Sequence, residues 1–105
     1  MKFLMKVEIP IEAGNAALSR PDFGQKMQAA LKEIGAEAAY FTATNGKRGG
    51  YILIDLADAS QIPAKAEPFF LWLGADIEFL PVMLPEDLAK AGPSIGAAVK
   101  NWGGA

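Results

Sequence analysis

The chain has 105 residues, with ten Lys and Arg against twelve Asp and Glu, and 51% of its residues are apolar. That is one domain's worth of core, and a net charge of −2 disfavours partners held by phosphate neutralisation, so no nucleic acid is expected. With neither Cys nor His, the chain has no disulfide, thiol nucleophile, imidazole base or ordinary zinc or haem site, and no metal or cofactor is expected.

Residues 2–9 alternate, with Phe3, Met5, Val7 and Ile9 against Leu4, Lys6 and Glu8, which predicts a strand with two unlike faces ended by Pro10. This opening is too short and too charged for a signal peptide or a membrane span. The longest apolar stretch, Phe69 to Leu73, has five residues, so a cytoplasmic protein with no membrane partner is expected. Glu12-Ala13-Gly14-Asn15 reads as the turn leaving the strand, with a short helical turn over 15–18. Phe23, Met27, Ala30, Leu31 and Ile34 form one helical stripe. Ser19 and Asp22 resemble a capping box around Pro21, and Gly35 closes the helix.

Two β-prone runs, 38–43 and 51–56, flank Asn45-Gly46 and Gly49-Gly50 and predict a hairpin. Asp58 and Ser60 offer caps for a second helix striped by Ile62, Ala66, Phe69, Phe70 and Leu73; Pro68 in its interior predicts a kink or an early end. Residues 76–82 read as a fourth strand. Pro85-Glu86-Asp87 opens a third helix with acids at its positive end. Gly92-Pro93 interrupts it, and residues 92–105 form a tail striped by Ile95, Val99 and Trp102 that is expected to cross to a partner copy.

The order β-α-β-β-α-β plus a C-terminal helix predicts an α+β fold, the ferredoxin-like plait. In it a four-stranded antiparallel sheet carries both long helices on one face and has its first and third strands central. Sorted by apolarity, Phe3, Met5, Val7, Ile52, Ile54, Leu56, Ile77 and Phe79 go under the helices. Leu4, Lys6, Glu8, Tyr51, Leu53, Asp55, Asp76, Glu78 and Leu80 are left on an open face of roughly 400 Å², joined by Tyr40 and Thr42. That face is too apolar for open water and too charged for a sealed core. A second copy facing it across a two-fold axis would enclose a water-bearing cavity.

The candidate site lies there. Lys6 is expected to bind an anionic or enolic substrate, flanked by Glu8, Asp55 and Glu78, with Glu8 or Asp55 moving a proton. The same charges also read as an ion-pair network across a dimer interface. Tyr40 and Tyr51 could donate to a ligand oxygen or simply pack an interface. Trp72 is placed as a roof over the pocket or as a space-filling aromatic, and Glu67 as an inward acid or a solvated one. Lys47-Arg48-Gly49-Gly50 partly resembles a strand of RNA-recognition motifs, but Ile52, Leu53 and Ile54 stand where stacking rings are needed. Lys47 and Arg48 therefore read as turn charges, and Gly46, Gly49 and Gly50 as hairpin glycines.

The strand order, small size and final helix resemble the dimeric α+β-barrel superfamily, which includes muconolactone isomerase and small monooxygenases. Glu12-Ala13-Gly14-Asn15, Glu37-Ala38-Ala39-Tyr40-Phe41, Ala66-Glu67-Pro68-Phe69-Phe70 and Pro85-Glu86-Asp87-Leu88 are similar to a family of uncharacterised bacterial proteins of this length. The resemblance implies a homodimeric barrel with a pocket beneath the helices or between the sheets, and transfers no catalytic residue. Three functions stay open: a cofactor-independent enzyme of isomerase or oxygenase type acting on a small, partly apolar molecule; a non-catalytic binding or sensing module; and a structural partner that docks through its Trp102 tail.

Overall fold

The period-two runs become strands and the striped runs become helices. The computed structural model describes residues 1–104. Its elements are β1 (Lys2–Glu8), α1 (Ile11–Leu18), α2 (Phe23–Glu33), β2 (Ala38–Thr44), β3 (Lys47–Asp55), α3 (Ile62–Leu73), β4 (Asp76–Pro81), α4 (Pro85–Lys90) and α5 (Gly92–Ala98), closed by a π-helical turn over Val99–Gly103. The strands form one antiparallel sheet in the order β2-β3-β1-β4, so the first and third strands are central. This is the α+β ferredoxin-like plait with an added C-terminal helical segment. No helix among the described residues is long and apolar enough to cross a membrane.

The core lies between the sheet and the helices. Met5, Ile34, Ile54, Phe69 and Leu73 are its largest fully buried side chains, with Val7, Ile52 and Leu56 beside them. Each contributes about 1.5–3 kcal/mol by leaving water. The faces divide as the alternation predicts, because residues opposite one another across a ladder share a face. Met5 pairs with Ile52 and Phe79, whereas Lys6 pairs with Tyr51 and Glu78.

Several local readings change. Residues 12–15 are helical, not a turn: α1 starts directly after Pro10, whose carbonyl accepts from the Gly14 N–H at 2.8 Å. Its small residues Gly14 and Ala17 are buried, which lets the helix axis lie close to the sheet. Ser19 does not cap α2; its hydroxyl donates to the Asn15 carbonyl at 2.7 Å and finishes α1, while Asp22 stands at the α2 N-cap. Pro68 neither ends α3 nor splits it. Ala66, Phe69 and Leu73 are buried on both sides of it, and that packing outweighs the one hydrogen bond a proline removes.

The hairpin turns through Asn45 (φ 52°) and Gly46 (φ 74°) alone, a two-residue turn whose positive φ values favour these residue types. Gly49 and Gly50 are not turn residues. They lie within β3, where a Cβ on Gly49 would collide with the Val7 carbonyl oxygen and one on Gly50 with that of Tyr40.

From Met83 onward every described residue except Ala91 is exposed, and none joins the core. The molecule measures 59 × 28 × 20 Å with a radius of gyration of 17.7 Å, against about 13 Å for a compact chain of this length. Residues 83–104 thus form an arm standing off the body; Ala105, the end of the expected tail, lies outside the described residues.

Candidate functional site

The open face is ruled in rows that cross all four strands. One row reads Tyr40, Tyr51, Lys6, Glu78, and the next reads Ala38, Leu53, Leu4, Leu80. On the other side of the Lys6 row stand Thr42, Gly49, Glu8 and Asp76. The register brings four expected site residues, Tyr40, Tyr51, Lys6 and Glu78, into one line of two phenols, an ammonium and a carboxylate. Lys6 is half-buried, and among the described residues it has no ion pair within 4.0 Å.

The other expected residues stand apart. Glu8 belongs to the neighbouring row and accepts from the Asn45 side-chain amide at 2.6 Å. Asp55 pairs with Lys2, four residues along β1 from Lys6, or about 13 Å at strand rise. There it accepts from the Met1 ammonium at 3.0 Å and lies 3.7 Å from Lys2 Nζ. The Met1 ammonium, with Lys2 assisting, holds the Asp55 carboxyl below the usual carboxylate range. The Glu37 hydrogen bond, in turn, holds Lys2 above the ordinary lysine value. Trp72 is on the opposite side of the sheet altogether. Its ring lies 5.6 Å from that of Phe23, and Lys26 Nζ stands 5.3 Å from its centroid, so it ties α3 to α2. Glu67 is exposed. Among the described residues no three acidic side chains gather as a metal site.

The principal cavity is on the helix side. No residue of α2 is fully buried, and Phe41, which the register places on the helix side of β2, is 62% exposed. Helix α2 therefore does not close over the edge strand. The gap is an open-sided cleft of about 620 Å³, lined by Leu18, Phe23, Met27, Leu31, Ala39 and Phe41 with Gly24, Gln28, Thr42, Arg48, Gly49 and Ile9. Its floor is low because Ala39, on the helix side of β2, carries only a methyl group. A void of about 20 Å³, roughly one water, shares Ile9, Met27, Phe41 and Gly49 with it and reaches Phe69 and Leu73.

Arg48 is the cleft's one charged lining residue. It alternates with Gly50, Ile52 and Ile54, a period-two pattern that puts it on the helix side of β3, where sequence alone reads it as a turn charge. Its guanidinium lies over α1: a Cβ on Gly14 would sit 3.0 Å from Nη1, and Nη1 donates to Asn15 Oδ1 at 2.9 Å. Gly14 and Asn15 take this role because residues 12–15 are helical rather than a turn.

The fold and surface thus define a class: an α+β plait with one bare, ribbed sheet face and an apolar cleft under its first long helix. No protein-family model matches the chain, and no curated protein matches it.

Proposed function

We propose that this chain is a cytoplasmic, homodimeric module that binds a small, largely apolar molecule in the cleft between α2 and β2, while a second copy covers the open sheet face. The cleft carries the reading. Its volume of about 620 Å³ falls within the range of roughly 300–1,000 Å³ typical of ligand pockets, and its lining is mostly apolar. No carboxylate or phenol is among the lining residues, whereas general acid–base chemistry needs such a group within reach of the ligand. Binding without turnover fits that lining.

The second copy is supported by the open face and the arm. The face offers an apolar row beside an ionic one, over roughly 400 Å². A helical arm of about 20 residues, at 1.5 Å rise and ~10 Å width, adds one face of roughly 300 Å². Together they approach the ~800 Å² per partner of a standard interface, and neither does so alone. The resemblance to dimeric α+β-barrel proteins supports the same arrangement.

One observation favours a second reading, a cofactor-independent enzyme of isomerase or oxygenase type. The Tyr40–Tyr51–Lys6–Glu78 row would line a chamber between facing sheets. Thermal shifts across a panel of apolar metabolites separate the two. Met27→Trp fills the cleft and Lys6→Met alters the sheet face. The expected result is a ligand that stabilises the parent chain and Lys6→Met alike but not Met27→Trp. The opposite pattern would move the ligand to the chamber.

A further inference from the structure

Resting on the reading of the cleft as a ligand site, we infer that its ligand is an amphipathic monoanion: an apolar chain or ring ended by a carboxylate, which Arg48 receives. The body of the molecule is specified by Leu18, Phe23, Met27, Leu31 and Phe41, which can return no hydrogen bond to a polar ligand. The end is specified by Arg48. A guanidinium has five N–H donors in a planar fork that matches a carboxylate.

Among the described residues, no carboxylate lies within 4.0 Å of this exposed guanidinium, so none of them pairs with its charge. Its seat is built from residues that position it without discharging it. Gly14, buried in α1, leaves the space that any side chain would crowd. Asn15 accepts one Nη1 hydrogen through a neutral amide oxygen. An aspartate at that position would make the same hydrogen bond and cancel the charge. What remains is an exposed arginine among the residues that line an apolar cleft, with guanidinium donors that Asn15 does not use, in a chain whose net charge is −2. A neutral or cationic amphiphile would leave that charge unanswered.

Isothermal titration with decanoate and 1-decanol, both kept below aggregation, tests the class on the full chain. Decanoate should bind at least about tenfold more tightly than decanol, as a charge-assisted hydrogen bond implies. Asn15→Asp, near-isosteric, should bring decanoate down to the affinity of decanol and leave decanol unchanged. Arg48→Gln should do the same, and Arg48→Lys should retain part of the preference. Equal binding of the two probes, with Asn15→Asp silent, would overturn the anion assignment while the cleft reading stood. Binding of neither probe would overturn both.

Discussion

Lys6 and Glu78 stand directly opposite each other on β1 and β4, yet among the described residues no ion pair within 4.0 Å joins them. An ammonium and a carboxylate side by side on an uncovered face form a surface that a second copy can complement with the same two groups turned over. Lys6→Glu should cost about 0.2–1 kcal/mol of stability, because like charges then face each other across the ladder. It should also weaken self-association. The exchange Lys6→Glu with Glu78→Lys should recover both. Denaturant midpoints and sedimentation over a concentration series read the two effects, and a parent chain that stays monomeric at every concentration would remove the second copy.

The arm makes a separable contribution. Ile95, Val99 and Trp102 are 47%, 61% and 87% exposed and none belongs to the core. Truncation after Lys90 should therefore leave the unfolding free energy of the body within about 0.5 kcal/mol of the parent chain. The dissociation constant of the dimer should meanwhile rise at least about tenfold, which corresponds to ~1.4 kcal/mol. Sedimentation equilibrium measures this, and an unchanged profile would relieve the arm of any part in assembly.

The sheet was legible because alternation carries the face of every strand residue. Met5 and Ile54 read as inward, Lys6 and Tyr51 as outward, and the ladders place them so. The cleft was not, because it arises from what fails to pack. The α2 stripe of Phe23, Met27 and Leu31 looks in sequence like any core-facing stripe; only the small residue opposite it, Ala39, leaves it half-used. Pro10 hid the start of α1 for a related reason. A proline reads both as a strand ending and as a helix opening, and the choice rests on Gly14 and Ala17 finding the sheet beneath them.

Thr44, at the hairpin end of β2, has a buried hydroxyl with no hydrogen-bond partner among the described residues. A buried, unpaired polar group costs about 1–3 kcal/mol relative to a satisfied one. Valine keeps the branched shape and the strand preference without the hydroxyl. Thr44→Val should thus raise stability by roughly 1 kcal/mol, whereas Thr44→Ala should gain less because it also gives up contact area. Chemical denaturation of the two variants checks the ranking. A destabilised valine variant would mean that water reaches the hydroxyl.

Stability should fall at both ends of the pH scale, for reasons traceable to three residues, the exposed Asp55 and Asp58 and the half-buried Lys2. The Met1 ammonium depresses the Asp55 carboxyl, and the Ser60 side-chain and backbone hydrogen bonds depress that of Asp58. Their stabilisation is in place above the ordinary carboxylate value of about 3.9 and is lost as pH falls from there through the lower folded-state values. Lys2 runs the other way. Raised by its hydrogen bond to Glu37, it contributes fully below the ordinary lysine value of about 10.4 and ceases to as pH rises through the higher folded-state value. Melting temperatures followed from neutral pH into acid should show a limb that Asp55→Asn and Asp58→Asn each flatten; Asp58→Asn should leave the alkaline limb in place, whereas Asp55→Asn should also shallow it, because Asp55 helps Glu37 to raise Lys2. Lys2→Met should flatten the alkaline limb and also shallow the acid one, since it removes one of the two cations beside Asp55. An acid limb indifferent to Asp55→Asn would mean that the ammonium of Met1 spends its time in solvent.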